Sequence, residues 1–551
     1  MHTLKDDADR LDHDVIVVGA GFGGMAVLNR LRNDGLRVQA FEAGDEVGGT
    51  WYWNTYPGAR VDIESVEYSY PFSDLQQEWT WPEKYSSQRD VLRYLTWVAD
   101  RLDLRRSIEF GTKVTRATYS DDDTWTVDIE GSTGETRTVT CRYFVLATGF
   151  LSVPHLPNIA GLQDFRGTFA HTARWPHEEV DMHSKRVGVI GTAASGIQVI
   201  QAVAPQAAKL SVFQRTANWS FPLRNTPMTE EYESWVKENY EEIRNHEYTS
   251  RGAGAVLVDN QIHVSEGRSA LDLADDERSA DFDHKWQAGG PHLSRSFPDI
   301  ITNIEANNHL RNFWSARIAE IVDDPDTARK LTPTHPPLSR RPPGNSGYYE
   351  VFNRSNVDLI DIKADPIERV TETGVRLRSG AEIELDVLVL ATGFDAGGGA
   401  AMQIDLRGRD GRRIQDHWVD GVRTNLGLAV HGFPNLLLVN GPQSPAVHFS
   451  PPLLSSYQAD LMSRLIRTSA DHNVGIEPSL ESENDWVEKV RARYEMTLIP
   501  QTDSWWMGAN IPGKPRRPIA WPGGFVTYRD FAEQWFAEFE SRTSQAAAIR
   551  T

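Results

Sequence analysis

With 551 residues, 40% of them apolar and 17 of them tryptophan, the chain exceeds what one core accommodates and reads as two to four domains. Its 57 basic against 77 acidic side chains leave a net charge of −20. This excludes a broad electrostatic grip on nucleic acid or an anionic membrane, and any anionic ligand must meet a local cluster of basic side chains.

A single cysteine, Cys141, excludes an internal disulfide and fits a reducing setting. The first residues are acidic where a signal peptide would be basic and then apolar, and no run is long enough to cross a bilayer. The expectation is a soluble cytoplasmic protein. The β-branched run 14–18 stops at Gly19-Ala20-Gly21-Phe22-Gly23-Gly24, after which Ala26, Leu28 and Leu31 recur at helical spacing. Strand, glycine turn and helix form the context in which G-x-G-x-x-G denotes a dinucleotide site. Gly19 permits the tight turn, Gly21 lets a pyrophosphate approach, and Gly24 lets helix pack on strand. The next strand, 37–41, ends at Glu42, whose carboxylate would accept from a ribose diol and repel a ribose phosphate. This site takes FAD or NAD rather than NADP.

Gly48, Gly49, Thr50 and Trp51 follow, then an aromatic stretch with Trp53, Tyr56, Arg60, Asp62 and Tyr68. The paired glycines would bring backbone amides against a second phosphate or a ring system, and the aromatics would wall a planar cofactor. An aromatic-rich core loop with a surface Asp62 would carry the same residues. Helical period covers 87–104, and four alternating runs, 108–114, 116–120, 125–130 and 136–141, read as a small antiparallel sheet. The buried strand 143–150 ends in Ala147-Thr148-Gly149, and the ending recurs at Ala391-Thr392-Gly393. The chain therefore leaves one nucleotide domain near residue 150 and returns to it near 395.

A second turn, Gly191-Thr192-Ala193-Ala194-Ser195-Gly196, has Ala193 where the middle glycine belongs, which would set a methyl against the pyrophosphate. The following strand ends in Arg215-Thr216 where the first domain has Glu42; an arginine there fits a ribose 2′-phosphate, hence NADPH, or else is a solvated surface residue. From 229 to about 330 the chain turns charged and helical, as an insertion over the cleft would. Arg340 and Arg341, bracketed by prolines, form a stiff cationic finger or an ordinary surface loop. Helices are expected at about 455–468 and 485–498, and the Trp-, Gly- and Pro-rich stretch 504–516 reads as a mobile lid. The expected fold is α/β, with two Rossmann-like dinucleotide-binding domains and a helical insertion in the second. Residues 1–150 and 395–551 would bind FAD, 151–224 and 335–394 would bind NADP, and 225–334 would be the insertion.

Between the turns lies Phe165 to Pro176, which ordinary domain packing or a device coupling two cofactors could each explain. Phe165, Gly167, His171, Thr172, Trp175 and Pro176 match the fingerprint F-x-G-x-x-x-H-T-x-x-W-[PD], and Gly48, Gly49, Trp51, Tyr56, Pro57, Gly58 and Asp62 match a second. On these residues the chain resembles the flavin-dependent Baeyer–Villiger monooxygenases, class B flavoprotein monooxygenases, and within them the phenylacetone and steroid monooxygenases. The resemblance implies FAD and NADPH as cofactors and no metal. It implies insertion of one oxygen from O2 beside a ketone carbonyl, giving an ester or lactone by way of a flavin C4a-peroxide. It places Gly19, Gly21, Phe22, Gly24, Glu42, Gly49, Thr50, Trp51, Trp53, Tyr68 and Val114 at FAD. Arg60, Asp62, Thr192, Ala193, Ser195, Gly196, Gln198, Arg215, Thr216 and Arg340 would meet NADPH. Arg341 would be the catalytic arginine, tuned by Asp62, and Trp505 the lid tryptophan. His171 is expected to support the linker rather than to move a proton. Two alternatives stand beside this reading: a related monooxygenase acting on sulfur or nitrogen, and a non-catalytic nucleotide-binding protein, which Ala193 favours. A monomer without a nucleic-acid or membrane partner is expected, and residues 443–452 depart from the substrate-facing loop of the family.

Overall fold

The computed structural model describes residues 11–249, 257–258, 261–262 and 267–550. The acidic residues 1–10, on which the reading of the chain start rests, lie outside them.

Strand His13–Val18 runs parallel to Val38–Phe41 on one side and to Thr136–Leu146 on the other. Val15, Ile16 and Val17 have no exposed surface, as parallel strands covered on both faces require. Leu436–Leu438 joins the same sheet, parallel to the end of Thr136–Leu146. Helix Phe22–Asn33 packs against helix Pro451–His472, which is longer than expected at both ends.

The antiparallel part differs from the expected four runs. Ile108–Glu109 pairs in parallel with Val38–Phe41, and Thr112–Tyr119 is one strand with a bulge between Val114 and Arg116. The extra residue of a bulge resets the inside–outside alternation, which makes one strand look like two. Thr136–Leu146 is likewise a single strand.

The second sheet is wholly parallel, in the order Val357–Asp361, Lys209–Gln214, Arg186–Ile190, Val387–Leu390, Thr168–His171. Its last member is the middle of the fingerprint stretch, so that segment is an edge strand and not merely a connection. Beyond it lies a three-stranded antiparallel unit spanning 367–384.

Helices Glu230–Thr249, Asp275–Ala288 and Ile304–Ile321 form the bulk of the insertion, rooted on the short parallel pair Phe221–Pro222 and Gly344–Asn345. The first of them docks on the first domain: buried Arg244 donates to the Val66 carbonyl and Ser69 Oγ, each at 2.8 Å, and pairs with Glu247 at 2.7 Å. A guanidinium taken from water needs such partners, because an unpaired one would cost several kcal/mol. Among the described residues no helix is long and apolar enough to cross a membrane, and no group of His, Cys, Asp and Glu could hold a metal.

Candidate functional site

The two glycine turns share one geometry. Gly19 and Gly191 sit at φ +104° and +112°, each pressed on the alanine carbonyl of an Ala-Thr-Gly ending: a Cβ would lie 2.6 Å from the Ala147 oxygen and 2.4 Å from that of Ala391. The recurring tripeptide is therefore the floor of each turn. Gly24 and Gly196 close the helix onto it, since a Cβ would fall 1.9 Å and 2.1 Å from the carbonyl oxygens of Gly19 and Gly191. The middle positions, Gly21 and Ala193, cap their helices with nearly the same extended angles, φ −81° and −91°, which any residue adopts. Ala193 is exposed and its backbone is unstrained. What sets Gly21 apart is Gly49, whose Cα would be 3.4 Å from a Cβ there. Both helix N-termini lack a side-chain cap and keep amides available, the electrostatics a pyrophosphate needs.

The tips differ in charge. Buried Glu42 accepts from the backbone N–H of Ala20 at 2.7 Å and of Gly44 at 2.8 Å. Burial raises its carboxyl above the usual range, and these amides and nearby Arg174 pull the other way. Around it stands an aromatic wall. Trp51 Nε1 donates to the Tyr68 hydroxyl at 3.2 Å, Tyr68 meets Phe22 edge to face at 5.3 Å, and the Arg174 guanidinium lies over Trp53 at 4.4 Å. Exposed Thr50 begins the short helix carrying these half-buried tryptophans, and Val114 is buried beside the bulge. Arg174 was not singled out from the sequence; its place next to Trp175-Pro176 in the fingerprint was the available signal.

At the second tip Thr192 Oγ1 donates to the Thr216 carbonyl at 3.1 Å. Exposed Arg215 is close enough to part-buried Arg340 to depress its pKa, second only to burial itself. Neither has an acidic ion-pair partner among the described residues, and Arg340 Nε is buried without a hydrogen bond. Two neighbouring guanidiniums with an unmet donor suit a phosphate dianion. The first tip, an acceptor behind a glycine cradle, suits a ribose diol. FAD at the first turn and NADPH at the second therefore fit the residues present.

Between the tips, Arg341 Nη2 donates to Asp62 Oδ1 at 2.5 Å across 279 residues of sequence. Asp62 is 11% exposed and Arg341 37%, so the guanidinium keeps an open side. The loop carrying Asp62 is fixed on the second domain. Tyr56 donates to Gln198 Oε1 at 2.8 Å, Gln198 Nε2 donates to the Arg60 carbonyl at 3.1 Å, and Gly58 lies so close that a Cβ would be 2.3 Å from the Gln198 oxygen. Burial pushes the Tyr56 and Tyr68 phenols up to about 12; Ser195, Arg341 and Trp51 are among the groups that counter it. Asn218 Nδ2 holds the Arg341 carbonyl at 3.0 Å. Arg60 is the exception: its guanidinium turns to Glu83 at 3.1 Å and the Tyr85 carbonyl at 3.0 Å, and only its backbone reaches the second domain.

Trp505 lies edge-on to Phe150 at 6.3 Å, and its loop is fastened by Asn510 to the Phe394 carbonyl at 3.1 Å and by Lys514 to the Ala396 carbonyl at 3.0 Å. The stretch expected to hang as a mobile lid thus spans both points where the chain changes domain. His171 accepts from the Ala173 N–H through Nδ1 at 3.0 Å, which leaves Nε2 to donate to Thr392 Oγ1 at 3.2 Å or the His155 carbonyl at 3.3 Å. Burial lowers its pKa, so this neutral ring pins the edge strand to the second Ala-Thr-Gly.

Residues 12–230 match the model of the flavin-binding monooxygenase-like family. The chain is 41% identical to cyclohexanone 1,2-monooxygenase from an Acinetobacter species, over 95% of each chain. It is 40% identical to a Baeyer–Villiger monooxygenase from Pseudooceanicola batsensis, over 94% of each. Its fold superposes on the crystal structure of OTEMO in complex with FAD and NADP with a TM-score of 0.90 at 36% identity, covering 96% of this chain and 98% of that one. With the paired turns, oppositely charged tips and both fingerprints in place, the chain belongs to the flavin-binding monooxygenase-like family, among its Baeyer–Villiger monooxygenases, and is an FAD- and NADPH-dependent enzyme.

Proposed function

We propose that this enzyme oxidises a ketone to an ester or lactone, and that the reaction takes place at the Arg341–Asp62 pair. One observation carries the assignment of place: the pair joins a loop of the first half to a loop of the second, and Arg341 keeps an open side. When bound, FAD supplies oxygen activation and NADPH the reducing equivalents. The chain's residues do the rest. Glu42 takes the ribose diol at the first turn, and Arg215 with Arg340 takes the 2′-phosphate at the second. Arg341 would offer its guanidinium charge to negative charge developing at the reacting oxygen. Asp62 fixes the direction of that guanidinium. Tyr56 and Tyr68, with phenols near 12, stay neutral at working pH and add no competing anion. The Trp505 loop keeps water out.

The division of the chain follows from the same reading: 1–150 with 395–551 for FAD, 151–224 with 335–394 for NADP, and 225–334 as the covering insertion. The enzyme would act as a cytoplasmic monomer with no nucleic-acid partner, and the charge of −20 supports the last of these.

The test is incubation of the flavin-loaded enzyme with NADPH, isotopically labelled O2, a ketone and a sulfide. Ester carrying one labelled oxygen is expected. Sulfoxide without ester would move the enzyme to the sulfur- and nitrogen-oxidising reading, and a colourless protein that takes up no flavin would remove catalysis altogether.

A further inference from the structure

The tryptophan loop and the arginine turn are joined by a buried relay of two hydroxyls. Thr502 Oγ1 donates to Ser339 Oγ at 2.8 Å, and Ser339 Oγ donates to the Pro336 carbonyl at 2.7 Å. Each hydroxyl has one proton, so the relay runs in one direction, from the loop into the turn. Ser339 has no exposed surface and Thr502 almost none, so water cannot replace either partner. Inside this turn Leu338 stands at φ +66°, a left-handed conformation that branched side chains rarely adopt and that persists only where the surroundings hold it. Arg340 and Arg341 come next in the chain. On the loop side the Thr502 carbonyl is held by Arg516 at 2.9 Å, three residues before Trp505.

We propose that Ser339 and Thr502 are positioning residues that couple closure of the tryptophan loop to the placement of Arg340 and Arg341. With the loop seated, the Thr502 hydroxyl holds the strained turn and aims both guanidiniums; with the loop lifted, Ser339 loses its donor and the turn relaxes. Coupling of this kind is reciprocal, so an anion on Arg340 must also hold the loop down. The proposal rests on the assignment of Arg340 to the nicotinamide nucleotide.

Hydrogen–deuterium exchange of residues 502–517 in the FAD-loaded enzyme, with and without NADP⁺, tests it beside NADP⁺ binding by calorimetry. In the parent enzyme and in Thr502→Ser, NADP⁺ slows exchange of the loop. In Ser339→Ala and Thr502→Val that slowing is lost and the Kd for NADP⁺ rises about fivefold, the size of one buried hydrogen bond. The double variant binds no more weakly than the weaker single one, because both remove the same link. A merely structural pair would lower the melting temperature and leave the NADP⁺-dependent slowing in place. If Ser339→Ala does not fold, Thr502→Val against Thr502→Ser makes the same comparison. Slowing that survives in the variants overturns the coupling alone; no slowing in the parent enzyme overturns it together with the role given to Arg340.

Discussion

The two glycine turns are built on one plan and finished with opposite charges. Each has a glycine at φ above +100° on the carbonyl of an Ala-Thr-Gly ending, and a glycine five residues later that admits the helix. Yet one strand tip carries a buried carboxylate held by two amides, and the other carries Arg215 beside a half-buried Arg340 with an unmet donor. The shared part is packing, which tolerates no Cβ. The divergent part is electrostatics, which a single side chain can invert. The halves meet at the Asp62–Arg341 pair, where we propose that the reaction takes place.

Inverting the second tip is the strongest way to break the comparison. Arg215→Glu should lower kcat/KM for NADPH about a hundredfold and favour NADH, since it removes charge-assisted hydrogen bonds and adds repulsion; steady-state kinetics with both nucleotides reads this. The tips should also answer pH with opposite signs. His335, near Arg340 and Arg311, is pushed down to about 3, mainly by burial. Its folded pKa lies below the ordinary 6.5, so the unfolded chain binds more protons across that window and stability falls as pH drops through it. Between pH 6.5 and 4.5 the loss is at most about 3 kcal/mol, and His335→Gln should flatten the melting-temperature profile there. Glu42 is raised, so its contribution is present below the ordinary 4.5 and is lost as pH rises through its folded pKa.

At the first tip, Glu42→Gln should weaken FAD retention roughly tenfold, read by dilution and fluorescence, because a charged acceptor becomes a neutral one. The smallest effect sharpens the comparison: Ala193→Gly should change NADP⁺ affinity by no more than about twofold, since the extended cap position accepts either residue. Gly21→Ala, which sets a methyl against Gly49, should weaken FAD binding more than that.

How much of this was legible in the sequence follows from the same division. The packing of Gly24 and Gly196 was readable because spacing within one strand–turn–helix unit fixes it, and the same spacing sets Glu42 and Arg215 at the two strand tips. The meeting of Asp62 with Arg341 was not, since no local pattern links positions 279 apart; it came through the resemblance. Thr168–His171 read as a connection because its partners, Leu388 and Leu390 among them, lie far along the chain. The bulge at Val114 disguised one strand as two, and the turning of Arg60 to Glu83 depends on a tertiary neighbour. Helix Phe525–Arg550 went unread although Phe525, Tyr528, Ala532, Trp535 and Phe539, all buried, recur at three- and four-residue spacing.

The central claim is that Arg341, not the cofactor sites, decides whether reducing power becomes product. Its most direct test is Arg341→Ala, followed by anaerobic flavin bleaching with NADPH and then by ester formed per NADPH consumed in air. Bleaching should persist while ester falls by about a hundredfold or more, the usual cost of removing a fixed charge from a reacting oxyanion. Ester at the parent yield would contradict the account.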